Sequence, residues 1–375
     1  MTAAIARSAI CLARDVKNLL QALVAVRFKR VYMPSIFGYY TVNSACNLRC
    51  SYCYINEPEI FPQGFTNPGL PLERAKQVLR TLRQECLFLR FLGGEPTIYK
   101  GINELARCAK EDLRYRHTSL ITNGIQLTRH PEKYELLFQT LDAITISSDQ
   151  TRLEQYPNEM GEVQRFLPQL AEICRQHRVM LTCNYTATWE ELEHPDRVHR
   201  ALERLGPHFF STYVTPVRKA GRTPLPLLKN ALVLNRRYSL SAKKGFEYPE
   251  RESPRWYWDH CDPKLKIKVD ADGCLVYPCE NHSYAAGSLE THTVRDLWAK
   301  EPVQFPNESC MGCGKQRFRS HALKHLGESL HIVSRVLWSG AGANGSRLPR
   351  PDRPGAHGLV LPVVHPRGAS PTPRS

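Results

Sequence analysis

From Tyr39 onward, short runs rich in β-branched and aromatic residues alternate with longer stretches whose apolar positions recur every three to four residues. The strand-like runs lie near 39–44, 87–92, 118–122, 142–147, 179–186 and 209–215. Helical spacing fills 71–84, 101–110, 131–139, 161–177 and 193–205 between and around them. Strands that each lead into a helix are the pattern of parallel βαβ units, because parallel neighbours need a long crossover connection. The expected fold is α/β, a partial (βα)6 barrel of the TIM-like kind, with its chemistry on loops at the C-terminal strand ends.

Three further segments flank this barrel, which is assigned to 39–222. Residues 1–38 hold an N-terminal amphipathic helix whose stripe is Val16, Leu19, Leu20, Leu23 and Val24. Residues 223–338 form a small cysteine-rich extension closing on a second amphipathic helix with Leu323, Leu326, Leu330, Val333 and Leu337 on one side. Residues 339–375 contain seven Pro and little apolar periodicity, the composition of a disordered tail.

The formal charge of +15 raises the question of a nucleic-acid partner. Residues 1–40 carry six Lys or Arg and one acidic residue, and residues 315–375 carry ten and two. The stretch between them is within two charges of neutral, which argues against a nucleic-acid channel through the barrel. The N-terminal stripe is followed by Arg27, Lys29 and Arg30, a pairing that suits a peripheral contact with an anionic membrane. Docking of the stripe against the barrel is its simpler use. No run of about 18 apolar residues suggests a membrane span. Without a convincing export signal the expected location is cytoplasmic, where clustered cysteines are metal ligands rather than disulfides.

The cysteines cluster where the fold expects chemistry. Cys46, Cys50 and Cys53 place three thiols within eight residues, directly after the first strand. Thiolates are soft ligands suited to iron-sulfur clusters or zinc. A structural zinc site or a ferredoxin-type cluster would have a fourth ligand close by, but the next cysteine is Cys86 and the next histidine His117. One metal position is left open for something other than protein.

This segment resembles the cluster motif of the radical S-adenosylmethionine (AdoMet) superfamily, C-x-x-x-C-x-aromatic-C, with Tyr52 as the aromatic residue. The resemblance implies a 4Fe-4S cluster whose unligated iron chelates AdoMet. It implies reductive cleavage of AdoMet to methionine and a 5′-deoxyadenosyl radical that abstracts hydrogen from substrate. A reductant such as flavodoxin or ferredoxin would supply the electron. Gly93, Gly94 and Glu95, at the end of the second strand, are similar to the family's Gly-Gly-Glu motif that binds the methionine amino group. The glycines have a physical reason, since backbone without a Cβ can approach a ligand closely. Asn123 after the third strand, and Ser148 and Asp149 after the fourth, look like the polar strand ends that line the ribose and adenine. Such pairs are also ordinary turn formers.

Cys261, Cys279, Cys310 and Cys313 could form a zinc site by spacing alone. With Val269 to Gly273 and Tyr277 to Cys279 they resemble the family's SPASM extension, or its shorter twitch form, which implies one auxiliary iron-sulfur cluster. Five residues separate Gly273 from Cys279 where that pattern has four, and the further cysteines of a full SPASM domain are absent. Cys274 is either a substitute ligand or a packing residue, and Cys11, Cys86, Cys108, Cys174 and Cys183 are expected to pack as small hydrophobes. The substrate stays open among peptide, small metabolite and lipid, and no residue is singled out as its acid or base. The alternative class is a non-catalytic zinc or electron-transfer protein.

Overall fold

The computed structural model describes residues 10–18, 20–21, 37–56, 63–217, 225–238, 266–276 and 285–299. Its six expected strands are β1 (Phe37–Thr41), β2 (Phe88–Leu92), β3 (His117–Thr122), β4 (Ala143–Ser147), β5 (Met180–Ala187) and β6 (Ser211–Pro216). They pair in parallel and in sequence order. Three more strands extend the sheet beyond β1. β7 (Lys266–Val269) runs parallel to β1, and β8 (Cys274–Val276) and β9 (Ala285–Ser288) follow antiparallel, in the order β6-β5-β4-β3-β2-β1-β7-β8-β9. The fold is α/β, an open and mostly parallel sheet with helices on one side.

Alternation along each strand separates two environments. On β2, Leu89 and Phe91 join the hydrophobic core while Arg90 and Leu92 face a cavity on the other side of the sheet. Helix Leu72–Leu82 buries Ala75, Val78, Leu79 and Leu82, and helix Pro157–Gln176 buries Met160, Val163, Leu167, Leu170 and Cys174. These are the i, i+3, i+7 positions that make one apolar face. The expected helix over 131–139 divides at Glu135 into a 3₁₀ turn, Pro131–Tyr134, and a helix, Glu135–Thr140. A further short helix, Ile125–Arg129, starts from Gly124 at φ +85°, a conformation that glycine adopts without strain.

The N-terminal segment is helical over 10–18. It docks by its polar side. Asn18 Nδ2 donates to the Gln84 carbonyl at 2.8 Å, and Asp15 is buried between Arg83 and Arg116. Val16 and Leu20 are exposed, as are Ile10 and Leu12. Val16 and Leu20 therefore do not pack on the barrel, and the surface that residues 10–18 meet offers guanidinium groups. Leu19, Leu23 and Val24 lie outside the described residues, as do 319–338 and the tail. Among the described residues no helix is long and apolar enough to cross a membrane.

Candidate active site

The cysteine loop leaves β1 and is pinned from two sides. Ser44 and Ala45 donate their N–H groups to the Asn67 carbonyl at 2.9 and 3.1 Å. On the other side Gly94 N–H reaches Asn43 O at 2.9 Å and Glu95 N–H reaches Ala45 O at 2.8 Å. The loop after β2 thus lies directly against the loop after β1. A Cβ on Gly93 would stand 2.3 Å from Asn43 Oδ1, and one on Gly94 would stand 2.2 Å from the Ser44 carbonyl. Gly93 is thus packed against the Asn43 side chain and Gly94 against the Ser44 and Ala45 backbone, a requirement additional to the close approach to a ligand that the sequence suggests.

Cys46, Cys50 and Cys53 form no disulfide among the described residues, and all three line one cavity of about 390 Å³ at the C-terminal strand ends. Burial pushes the Cys46 thiol up to about 12, against the Leu48 N–H that favours the thiolate. Such a thiol remains protonated at neutral pH unless a metal supplies the compensating charge. Among the described residues no three His, Cys, Asp or Glu side chains close on a single metal ion. An iron-sulfur cluster does not require that convergence, because each thiolate binds a different iron.

Glu95 is almost fully buried at the cavity wall, where its carboxylate holds two strand ends together. Its Oε1 accepts from Thr97 N, Thr97 Oγ1 and Thr122 Oγ1 at 3.0, 2.6 and 2.6 Å, and Oε2 accepts from Asn123 N at 2.7 Å. Burial raises its pKa, and those four donors oppose the rise. Asn123 reaches the cysteine loop through Nδ2 to Asn47 Oδ1 at 2.8 Å. Asp149 caps helix Gln150–Gln155 by accepting from Arg152 N–H at 2.9 Å. Its other oxygen accepts from Tyr52 OH at 2.6 Å and Arg152 Nη1 at 2.9 Å, so the aromatic residue of the cysteine motif is tied to the end of β4. Ser148 is buried, its hydroxyl has no hydrogen-bond partner among the described residues, and it is the neighbouring Ser147 that lines the cavity.

The cavity also takes side chains that the motifs do not mark. Tyr39, Arg90, Asn184, Thr215 and Lys268 all face it. Strand alternation is the signal that could find them, once the strand ends are known. Cys86, Cys108, Cys174 and Cys183 are buried as expected, whereas Cys11 is partly exposed. Cys274 is partly buried on β8, and burial pushes its thiol up to about 11. Cys261, Cys279, Cys310 and Cys313 lie outside the described residues.

Residues 40–163 match the Radical SAM superfamily model, and this span is a radical SAM domain. It includes the three cysteines, Gly93 to Glu95, Asn123, Ser148 and Asp149. Enzymes of that superfamily use a 4Fe-4S cluster, AdoMet and a reductant. The chain is 34% identical over 126 residues to GTP 3′,8-cyclase of Heliobacterium modesticaldum, covering 31% of this chain and 35% of that one. It is 31% identical over 115 residues to GTP 3′,8-cyclase of Chlorobaculum tepidum, covering 31% and 33%. The chain thus spans about a third of the length of these curated relatives. The crystal structure of Streptococcus suis SuiB bound to precursor peptide SuiA superposes with a TM-score of 0.51 at 16% identity, covering 76% of this chain and 69% of that one. That likeness is one of fold.

Proposed function

We propose that the chain is a radical AdoMet enzyme, with Cys46, Cys50 and Cys53 holding the cluster and Gly93, Gly94, Glu95, Asn123, Ser148 and Asp149 shaping the AdoMet site. The observation that carries this reading is the convergence of three cysteines, the loops after β2 and β3 and the end of β4 on one cavity at the C-terminal strand ends. When bound, the cluster supplies the electron that cleaves AdoMet to methionine and a 5′-deoxyadenosyl radical, which abstracts hydrogen from substrate. The chain's own part is positional. Asn43, Ala45 and Gly94 lock the cysteine loop to β2, and Asn123 and Asp149 tie it to β3 and β4. A non-catalytic zinc or electron-transfer protein has no need of a cavity of this size beside its ligands.

The test is anaerobic reconstitution with iron, sulfide and a strong reductant, followed by assay for 5′-deoxyadenosine. Formation is expected from the wild type and not from the triple variant Cys46→Ala, Cys50→Ala, Cys53→Ala. Zinc bound at these thiols with no 5′-deoxyadenosine formed would sink the reading. The C-terminal cysteines extend the proposal to one auxiliary cluster, whose iron and sulfide should persist in that triple variant. The outward face of the 10–18 helix, with Lys17 beside Val16 and Arg27, Lys29 and Arg30 following in sequence, supports a peripheral contact with anionic membranes.

A further inference from the structure

We infer that the cavity recognises an anionic group of its substrate, a phosphoryl or a carboxylate, through Arg90 and Lys268 on either side of Tyr39. The inference rests on the reading of this cavity as the reaction chamber. Parallel pairing sets Tyr39 of β1 level with Arg90 of β2 and with Lys268 of β7. Side chains at one level of a parallel sheet point to the same face, and all three line the cavity. With strands about 4.8 Å apart, the two cationic residues stand roughly 10 Å apart at their Cα atoms, within reach of one group from both sides.

Both side chains are oriented by neighbours. Arg90 Nε donates to Ser119 Oγ at 3.2 Å, and its guanidinium carbon lies 5.8 Å from the centre of the Tyr39 ring. The Lys268 ammonium lies 5.6 Å from the centre of the Tyr54 ring, directly after the last cysteine of the loop. An anion between them would therefore sit beside the cysteine loop. Among the described residues lining the cavity the one carboxylate is Glu95, and its oxygens already accept four hydrogen bonds. The third lining cation, Arg152, is paired with Asp149. Among the described residues, Arg90 and Lys268 are the cations that the sheet face itself presents to the cavity, and in a partly enclosed space attraction to an anion exceeds its value in bulk water. Arginine adds a planar fork that matches the oxygens of phosphate or carboxylate, and lysine a point charge.

The experiment uses the reconstituted full chain, and wild-type cleavage of AdoMet is measured first. Calorimetric titration of the AdoMet-loaded protein with pyrophosphate, and separately with succinate, then separates phosphoryl from carboxylate recognition. At least one should bind, more weakly as salt rises. Arg90→Gln and Lys268→Gln should each weaken binding about tenfold or more, the loss expected for a charge-assisted hydrogen bond. Lys268→Arg should largely retain it, and Lys133→Gln, at an exposed position, should not change it. A wild type that cleaves AdoMet but binds neither anion overturns the inference and leaves the proposed function standing. An equal loss of AdoMet affinity in the two Gln variants assigns the pair to AdoMet and also overturns it. A wild type that does not cleave AdoMet removes the proposed function, and the inference with it.

Discussion

Two buried carboxylates, at opposite ends of the parallel sheet, are held in different ways. Asp15 meets the N-terminal strand ends, where Arg116 Nε donates to its Oδ2 at 2.6 Å. Its Oδ1 lies 2.8 Å from Arg83 Nη1 without hydrogen-bond alignment, so that contact is one of charge, while Arg83 Nη2 donates to Oδ2 at 3.1 Å. Arg83 is itself only 1% exposed and also donates to the carbonyls of Cys86, Leu113 and Arg114. Glu95, at the C-terminal strand ends, has hydroxyls and backbone N–H groups in place of cations. The first arrangement neutralises charge and fixes a helix. The second keeps a carboxylate in a neutral pocket against the cost of burial, as is tolerated where a site needs geometry more than stability.

The sharpest way to break this comparison is to remove each carboxylate in turn. Asp15→Ala leaves two guanidinium groups facing one another without their anion, and a loss of about 3–5 kcal/mol is expected in chemical denaturation. 5′-Deoxyadenosine formed per folded molecule should not change. A loss below about 1 kcal/mol would mean that the N-terminal helix is not fastened by charge. Glu95→Gln keeps the shape but turns an amide N–H₂ toward at least one existing donor. Here about 1–3 kcal/mol of stability should be lost, together with AdoMet affinity. Unchanged AdoMet binding would place Glu95 among purely structural residues.

A third carboxylate extends the comparison to pH. Burial lifts Asp270, in the turn between β7 and β8, from 3.8 to about 6, against the N–H groups of Cys274 and Asp272. Because its folded pKa is raised, its contribution to stability is fully present below about pH 4 and is lost as pH rises to about 6. Asp270→Asn keeps an oxygen for both N–H groups, and should be more stable than wild type at pH 7 by on the order of 1–2 kcal/mol. At pH 4 the two should unfold at nearly the same denaturant concentration. The smallest effect on stability is expected at the outer face of the 10–18 helix. Replacing Val16 and Leu20 together by Glu should change stability by less than about 0.5 kcal/mol. The same variant should no longer pellet with anionic vesicles, which the intact chain is expected to do in a salt-sensitive way. Pelleting that survives the replacement would move the membrane contact elsewhere.

Much of the barrel is legible in the chain because its signals are local. Each of β1 to β6 overlaps a run that its β-branched and aromatic residues pick out, and Cys46 to Cys53 and Gly93 to Glu95 sit where strand ends place them. The register of β7 is not legible in the same way, since Lys266–Val269 is four residues long and its partner β1 lies far away in sequence. The division of the 131–139 helix lies at Tyr134, whose φ of −115° and ψ of 15° leave the helical region, while Pro131 at the first position is compatible with a helix and marks no break.

By itself the sequence determined the order of β1 to β6 with the main helices between them, the three-cysteine loop and the glycine pair, because periodicity and contiguous motifs act over a few residues. Tertiary structure alone decided which face of the N-terminal helix is buried, since amphipathicity marks a stripe but Arg83 and Arg116 set the charge it must meet. It also decided that Gly93 and Gly94 meet the Asn43 to Ala45 backbone, and that Arg90 and Lys268 flank one tyrosine. Those contacts depend on strand pairing between distant segments, whose register is fixed by the packed sheet as a whole.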